Sequence, residues 1–221
     1  APIAMRVSGN RWIRFANTRC SRNCGIPVLL HGRRGELMRV TWTELDVPEL
    51  LLSSGASVQD KRGSFTKVLS GSDPLLGDFQ GRELYWTSSA RGVLRGLHFQ
   101  LPPAATRKLV YVVNGAVRDF IVDLRVGSPM ERQLFEIELS PSVGGLLVPV
   151  GCAHAYEALE DNTIVCYAQD IPFSDEDSYG GIRAESAGIV PVASQPILMP
   201  RDLEFPDLGG FTSPFVFQES G

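Results

Sequence analysis

Histidine and cysteine are scarce in this 221-residue sequence, with three and four residues respectively, and no long apolar run is present. No stretch approaches the ~20 apolar residues that a membrane-spanning helix requires, so such a helix is excluded. Cys20, Cys24, Cys152 and Cys166 form neither a CxxC pair nor a paired zinc pattern. Cys20 and Cys24, with His31 nearby, lack the fourth ligand of a tetrahedral site, and reduced thiols are expected instead. Excess positive charge is missing too. The net charge is −4, whereas a nucleic-acid binder carries a basic stripe. A small molecule is therefore the expected partner, with no nucleic acid and no membrane. With no internal repeat or Pro/Ser linker, and with 43% apolar residues, one domain can bury a sufficient core.

The charge is unevenly spread. Up to Glu44 there are eight arginines against two glutamates, a net +6, which leaves −10 for the remainder. This basic segment lacks the continuous apolar stretch of a signal peptide, so no secretion signal is read and a cytoplasmic location is expected. Residues 1–45 are read as a separate basic extension: an added strand, a dimer arm, or a processed or fragmentary end. Residues 46–221 are read as the main domain.

Within that domain, short runs rich in Val, Ile, Leu, Tyr and Phe alternate with Gly, Pro, Asn and Asp. They are Lys108–Val113, Ala116–Leu124, Gln133–Leu139, Gly145–Val148 and Thr163–Gln169. Short strands at this spacing predict an all-β sandwich or barrel. In Phe135-Glu136-Ile137-Glu138-Leu139 the apolar side chains take one face and the carboxylates the other, which predicts one core face and one wet face. Thr43–Ser53 reads equally as helix, strand or loop. The Pro- and Gly-rich chain after Ala187 predicts an irregular wrap able to deliver a side chain to a pocket.

Two histidines lie in this region. His98, in Arg95-Gly96-Leu97-His98-Phe99-Gln100, alternates with Leu97 and Phe99 and so faces away from them on a strand. His154 ends the turn-then-strand sequence Pro149-Val150-Gly151-Cys152-Ala153-His154. That PxGxxH pattern resembles the second metal motif of cupins, but a first motif would need histidine where Gln100 stands. No metal and no other cofactor is expected. Lys108 and Asp119 are charges within apolar runs, and Tyr167 is an aromatic in another. Each has an ordinary structural reading as a half-buried histidine, a solvated lysine or a sheet aromatic.

Taken together, Arg95–Gln100 with Lys108, Val117–Arg125, Ser128-Pro129, Pro149–His154, Tyr167 and Gly181-Ile182-Arg183 resemble the dTDP-4-dehydrorhamnose 3,5-epimerase family. The resemblance runs from about Asp60 to Asp202, roughly two thirds of the chain. It implies a double-stranded β-helix (cupin, jelly-roll) barrel without metal. Such a barrel is usually a homodimer acting on a 4-keto-6-deoxy sugar carried on a nucleoside diphosphate.

The resemblance also implies roles. The histidine of RGLH is the family's base, here His98. The acid that holds it comes from a C-terminal LSxKD-like segment, here Leu198-Met199-Pro200-Arg201-Asp202, which makes Asp202 the orienting carboxylate. Lys108 stands ten residues after His98, Asp119 eleven after Lys108 and Tyr167 thirteen after His154, each matching a family position. His98 would remove a proton beside a ketone, Lys108 with His154 would stabilise the enolate, and Tyr167 would return a proton to the opposite face. Arg62, in the DxRG-like Asp60-Lys61-Arg62-Gly63, and Arg95 would contact the diphosphate. Phe65, Glu83, Tyr85, Gln100, Asp119 and Arg183 complete the implied substrate contacts.

Two stretches depart from the family. Where FFxE is usual the chain reads Ser64-Phe65-Thr66-Lys67, and where QxNxS is usual it reads Glu83-Leu84-Tyr85-Trp86-Thr87. Both lie near the thymine nucleotide in the family, so a different nucleotide, for example a CDP- or GDP-sugar, is the expectation. Whether carbon 3, carbon 5 or both react is left open. The alternatives are a sugar-nucleotide 3,4-ketoisomerase and a non-catalytic sugar-nucleotide-binding cupin.

Overall fold

A computed structural model of the protein describes residues 40–70, 73–173 and 178–219, with the backbone of two earlier strands, β1 (Ala4–Val7) and β2 (Arg11–Arg14). Cys20, Cys24 and His31 lie outside the described residues. The remaining strands are β3 (Trp42–Glu44), β4 (Leu51–Ser53), β5 (Ala56–Asp60), β6 (Gly63–Lys67), β7 (Glu83–Ser89), β8 (Leu94–Gln100), β9 (Lys108–Asn114), β10 (Val117–Asp123), β11 (Leu134–Leu139), β12 (Gly145–Val148), β13 (Cys152–Ala158), β14 (Thr163–Gln169) and β15 (Tyr179–Gly181). A five-residue helix, α1 (Pro200–Glu204), follows.

The strands form two antiparallel sheets and a hairpin. One sheet has the order β15-β8-β13-β10-β11-β1-β2, the other β3-β4-β12-β9-β14-β7, and among the described residues β5 pairs only with β6. The double-stranded β-helix expected from the sequence is what the chain adopts. The five strand readings agree with β9 to β12 and β14 to within a residue at each end, and β12 and β14 match in full. The ambiguous Thr43–Ser53 resolves into β3 and β4. Their connection closes through Leu45 N–H donating to the Leu50 carbonyl, and it buries Val47 and Leu50. At the other end of the seven-stranded sheet, the backbone of β1 lies antiparallel along β11.

The period of two along each strand divides the interior. Val117, Ile121, Phe135, Ile137, Leu139 and Tyr156 of the seven-stranded sheet meet Val110, Val112, Leu146, Val148, Val165 and Tyr167 of the six-stranded sheet in one cluster. The intervening residues of β8, β10 and β13, including Leu97, Phe99, Phe120 and Val122, form a second cluster on the outer face. There they are covered by Ile182, Leu208 and Phe215 of the C-terminal chain. Leu109, Leu147 and Ala168 form a third cluster with Trp42 and Leu51. Both sheets are thus apolar on two faces.

One expectation is corrected by this arrangement. The carboxylate face of β11 is only partly wet: Glu136 is buried, and its Oε1 accepts from Arg118 Nε and Nη2 at 2.8 and 2.6 Å. Only Glu138 reaches solvent.

The C-terminal chain is irregular, as its composition predicts, and it is held at defined points. The fully buried Glu157 accepts from the Val192 and Ala193 backbone N–H groups, both at 2.8 Å. Val93 bridges Ile197, and Arg132 donates to the Leu208 and Phe211 carbonyls. These anchors set α1 beside β8.

A second polar clamp joins the sheets. Asp123, at the end of β10 and fully buried, takes a bidentate pair from Arg125 (Nε to Oδ1 2.9 Å, Nη2 to Oδ2 2.8 Å) and a 2.6 Å bond from Ser128 Oγ. Arg125 continues to Glu49 Oε2 (2.6 Å) and the Pro48 carbonyl (2.8 Å), in the connection between β3 and β4. Removing one partner of a buried pair strands the other charge, at a cost of about 3–5 kcal/mol. Asp123→Ala should lose stability on that scale in urea unfolding, whereas a loss under about 1 kcal/mol would show that the pair is not a clamp.

Candidate active site

The same alternation that points Leu97 and Phe99 outward turns His98 and Gln100 toward the barrel interior. On β10 it turns Asp119 inward with Val117 and Ile121, and on β13 His154 inward with Cys152 and Tyr156. On the opposite sheet it turns Lys108 inward with Val110, and Tyr167 inward with Val165. His98 and His154 are register partners on adjacent strands. A cavity lined by His98, Gln100, Thr106, Lys108, Val148 and His154 opens at this point. Gly96 makes the strand approach possible. Its φ is +109°, and a Cβ there would collide with the His154 carbonyl oxygen.

Each imidazole has a carboxylate. His98 Nε2 lies 2.8 Å from Oδ1 of Asp202, which α1 supplies and which is almost fully buried. Asp202 Oδ2 also accepts from the Gly96 backbone N–H at 3.4 Å. His154 Nε2 lies 2.8 Å from Asp119 Oδ2, and Asp119 is fully buried. Among the described residues, no three His, Cys, Asp or Glu side chains come together as a metal-ligand set. The His98 ring is walled by Tyr179 and Phe205, at centroid distances of 5.1 and 5.9 Å. Arg201 lies over the Tyr179 ring at 4.4 Å.

Burial dominates the ionisation of these groups. It lowers the His98 pKa; the Asp202 carboxylate opposes the shift, and Lys108 and Arg201 add to it. A lowered value keeps His98 neutral near pH 7, the form a base needs. Burial likewise pulls Lys108 down to about 8, with Asp119 resisting. The Asp119 carboxyl is pushed up by burial, against the pull of His154 and Lys108. Tyr167, also buried, is driven well above the usual phenol range and so is a neutral donor at any working pH.

Not every expected residue joins this group. Tyr85 stacks on Tyr167 (4.9 Å, 17°), and its hydroxyl lies 3.4 Å from Gln169 Oε1. Glu83 accepts from Gln169 Nε2 (2.5 Å) and the Phe173 N–H (3.1 Å). Gln100 Nε2 donates to the Ala104 carbonyl at 2.6 Å. Arg95 is half-buried and donates from Nε to Ser89 Oγ. Arg62 and Phe65 are exposed on the β5–β6 hairpin, outside both large sheets, with Arg62 paired to Asp60. Arg183 pairs with Asp207 in the C-terminal wrap and takes no part in the His98 network. Sequence reasoning missed Tyr179, Phe205 and Thr106. Tyr179 stands directly before the Gly180-Gly181 pair, where a Cβ would strike Phe99 or Phe205, a signal of close packing.

A profile of the family described as dTDP-4-dehydrorhamnose 3,5-epimerase matches residues 44–209. The chain belongs to that family. It is 36% identical over 153 residues to the dTDP-4-dehydrorhamnose 3,5-epimerase of Sinorhizobium fredii, covering 66% of this chain and 76% of that one. With the Streptomyces griseus enzyme of the same name it shares 32% over 175 residues, 74% and 84% of the two chains. Among solved structures it resembles a dTDP-6-deoxy-D-glucose-3,5-epimerase from Legionella pneumophila in complex with dTDP-4-keto-L-rhamnose. That match has a TM-score of 0.75 and 25% identity, covering 82% of this chain and all of that one. The Bacillus anthracis dTDP-4-dehydrorhamnose 3,5-epimerase with TDP and pyrophosphate bound gives a TM-score of 0.69 at 33% identity, covering 77% and 100%. The family is one of isomerases, and the pairing of each histidine with a carboxylate suits proton transfer.

The ionisation of Lys108 can be checked directly. Its side-chain NMR signals should titrate with a midpoint near 8. Because Asp119 raises that midpoint, Asp119→Asn should lower it further. A midpoint near 10.5 would place the amine in solvent.

Proposed function

We propose that this chain epimerises a 4-keto-6-deoxy sugar carried on a nucleoside diphosphate, at carbon 3, carbon 5 or both. The observation that carries this reading is the placement of base and acid on opposed sheets. His98 rises from the seven-stranded sheet, and Tyr167 and Lys108 from the six-stranded sheet. A sugar ring lying between the sheets would meet them on opposite faces.

The chemistry follows from the contacts. With Nε2–H donated to Asp202, the other nitrogen of His98 is unprotonated and takes the proton beside the ketone. The electron pair moves onto the carbonyl oxygen, where the charged Lys108 ammonium and His154 stabilise it. One well-placed donor at such an oxyanion contributes about 2.7–4 kcal/mol. Tyr167 then delivers its phenol proton to the other face of the same carbon, inverting it. His98 leaves the step as an imidazolium beside Asp202, and Tyr167 as a phenolate. Proton exchange with solvent resets both.

Arg95 and Arg62 are assigned to the diphosphate. Because Arg62 and Phe65 sit on a hairpin outside their own His98 network, a homodimer belongs to the same reading. Glu83 and Tyr85, two positions that depart from the family pattern, are engaged with Gln169 and Tyr167, which supports an altered contact to the base. A cytoplasmic location fits this reading, and no helix among the described residues is long and apolar enough to cross a membrane.

Incubation in heavy water with dTDP-, CDP- and GDP-linked 4-keto-6-deoxy sugars, followed by NMR, tests the proposal. Deuterium should enter at carbon 3, carbon 5 or both with inversion for at least one nucleotide. His98→Ala should slow its entry by about 10²–10⁴-fold. Exchange by His98→Ala at the wild-type rate would contradict the assignment.

A further inference from the structure

Tyr167 meets a second tyrosine that the proposed chemistry does not use. Tyr85 of β7 is its register partner on one side, and Val110 of β9 is its register partner on the other. The Tyr85 and Tyr167 rings lie nearly parallel, with centroids 4.9 Å apart and planes 17° apart. The His154 ring stands edge-on to Tyr167 at 6.1 Å and 77°. Residues opposite one another on one face of a sheet pack side by side. The Tyr167 ring is therefore stacked by Tyr85, flanked by Val110 and met by an imidazole edge.

Tyr85 is held in its turn. Gln169 faces Glu83 across the same two strands, and its Nε2 donates to Glu83 Oε2 at 2.5 Å. That leaves Gln169 Oε1, which can only accept, 3.4 Å from the Tyr85 hydroxyl, so Tyr85 donates there. At this length the bond is weak. What Tyr85 offers Tyr167 is the flat face of its ring. Burial and the nearby Glu83 carboxylate push the Tyr85 phenol up to about 12, so it stays uncharged.

We propose that Tyr85 is a positioning residue for the acid: its stacked ring holds the Tyr167 phenol at the angle from which it protonates the far face of the sugar carbon. This rests on the epimerase reading above. Without a flat partner the Tyr167 ring can turn into the space beside it, and a small misplacement of a reacting group is costly. When Tyr167 gives its proton to carbon, the O–H bond breaks, a C–H bond forms, and the electron pair stays on the phenolate oxygen. The neutral Tyr85 ring adds no second charge beside it.

Two routes leave the same bound enolate in heavy water. A deuteron returned by His98, after that histidine exchanges with solvent, gives labelled sugar of the original configuration. Delivery from Tyr167 gives the inverted sugar. The ratio of inverted to labelled, uninverted sugar, taken from initial rates, depends neither on how tightly the substrate binds nor on how much enzyme is folded. A purely structural or binding role would change both rates and leave the ratio alone.

With a sugar that the wild type inverts, Tyr85→Leu should lower this ratio roughly three- to tenfold, the scale of an aromatic pair. Tyr85→Gln, which also lacks a ring, should lower it alike. Tyr85→Phe keeps the stack and should hold the ratio within about twofold of wild type. An unchanged ratio in Tyr85→Leu or Tyr85→Gln overturns the proposal and leaves the epimerase reading intact. So does a fall in Tyr85→Phe as deep as in Tyr85→Leu, which would give the role to the hydroxyl. A wild type that neither exchanges nor inverts any sugar of the panel overturns both.

Discussion

The hydrogen bond between His98 Nε2 and Asp202 Oδ1 joins a strand in the middle of the sequence order to a short helix more than a hundred residues later. Neither group would be useful alone. A lone buried aspartate would take up a proton, and a lone imidazole would rotate and lose its tautomer. Their contact depends on the course of the C-terminal chain. That course is fixed by Glu157 gripping two backbone N–H groups, by Arg132 on two carbonyls, and by Leu208 and Phe215 packed over the outer face of the seven-stranded sheet. The wrap is therefore part of the site.

The barrel core and the site share one register. Val110, Ile121, Tyr156 and Val165 fill the interior from the same strand faces that carry Lys108, Asp119, His154 and Tyr167. A slip of one residue on any strand would turn its chemistry outward and expose its apolar set. Burial of Lys108 and Asp119 opposes their charged forms, and the interior tolerates them because they and His154 face one another. The resulting low-dielectric space favours a lysine held near its titration point and a tyrosine held neutral.

Much of this was legible beforehand, for physical reasons. Strand alternation alone turned His98 away from Leu97 and Phe99, whereas Lys108, Asp119 and Tyr167, each on a different strand, stood out from ordinary strand residues only through the resemblance. Asp202 was legible only through resemblance, since nothing in Pro200-Arg201-Asp202 shows that it returns to β8. The Thr43–Ser53 segment was ambiguous because its leucines suit several periods. Glu136 misled because sequence cannot show that Arg118 covers the outer face. Arg183 matched a motif, yet Asp207 holds it.

The central claim is that one carbon is deprotonated from the seven-stranded sheet and reprotonated from the other. Tyr167→Phe, assayed in heavy water, tests it most directly by following deuterium position and ring configuration together. The account predicts that deuterium enters beside the ketone through His98 while the original configuration persists. Full inversion by Tyr167→Phe at the wild-type rate would contradict it.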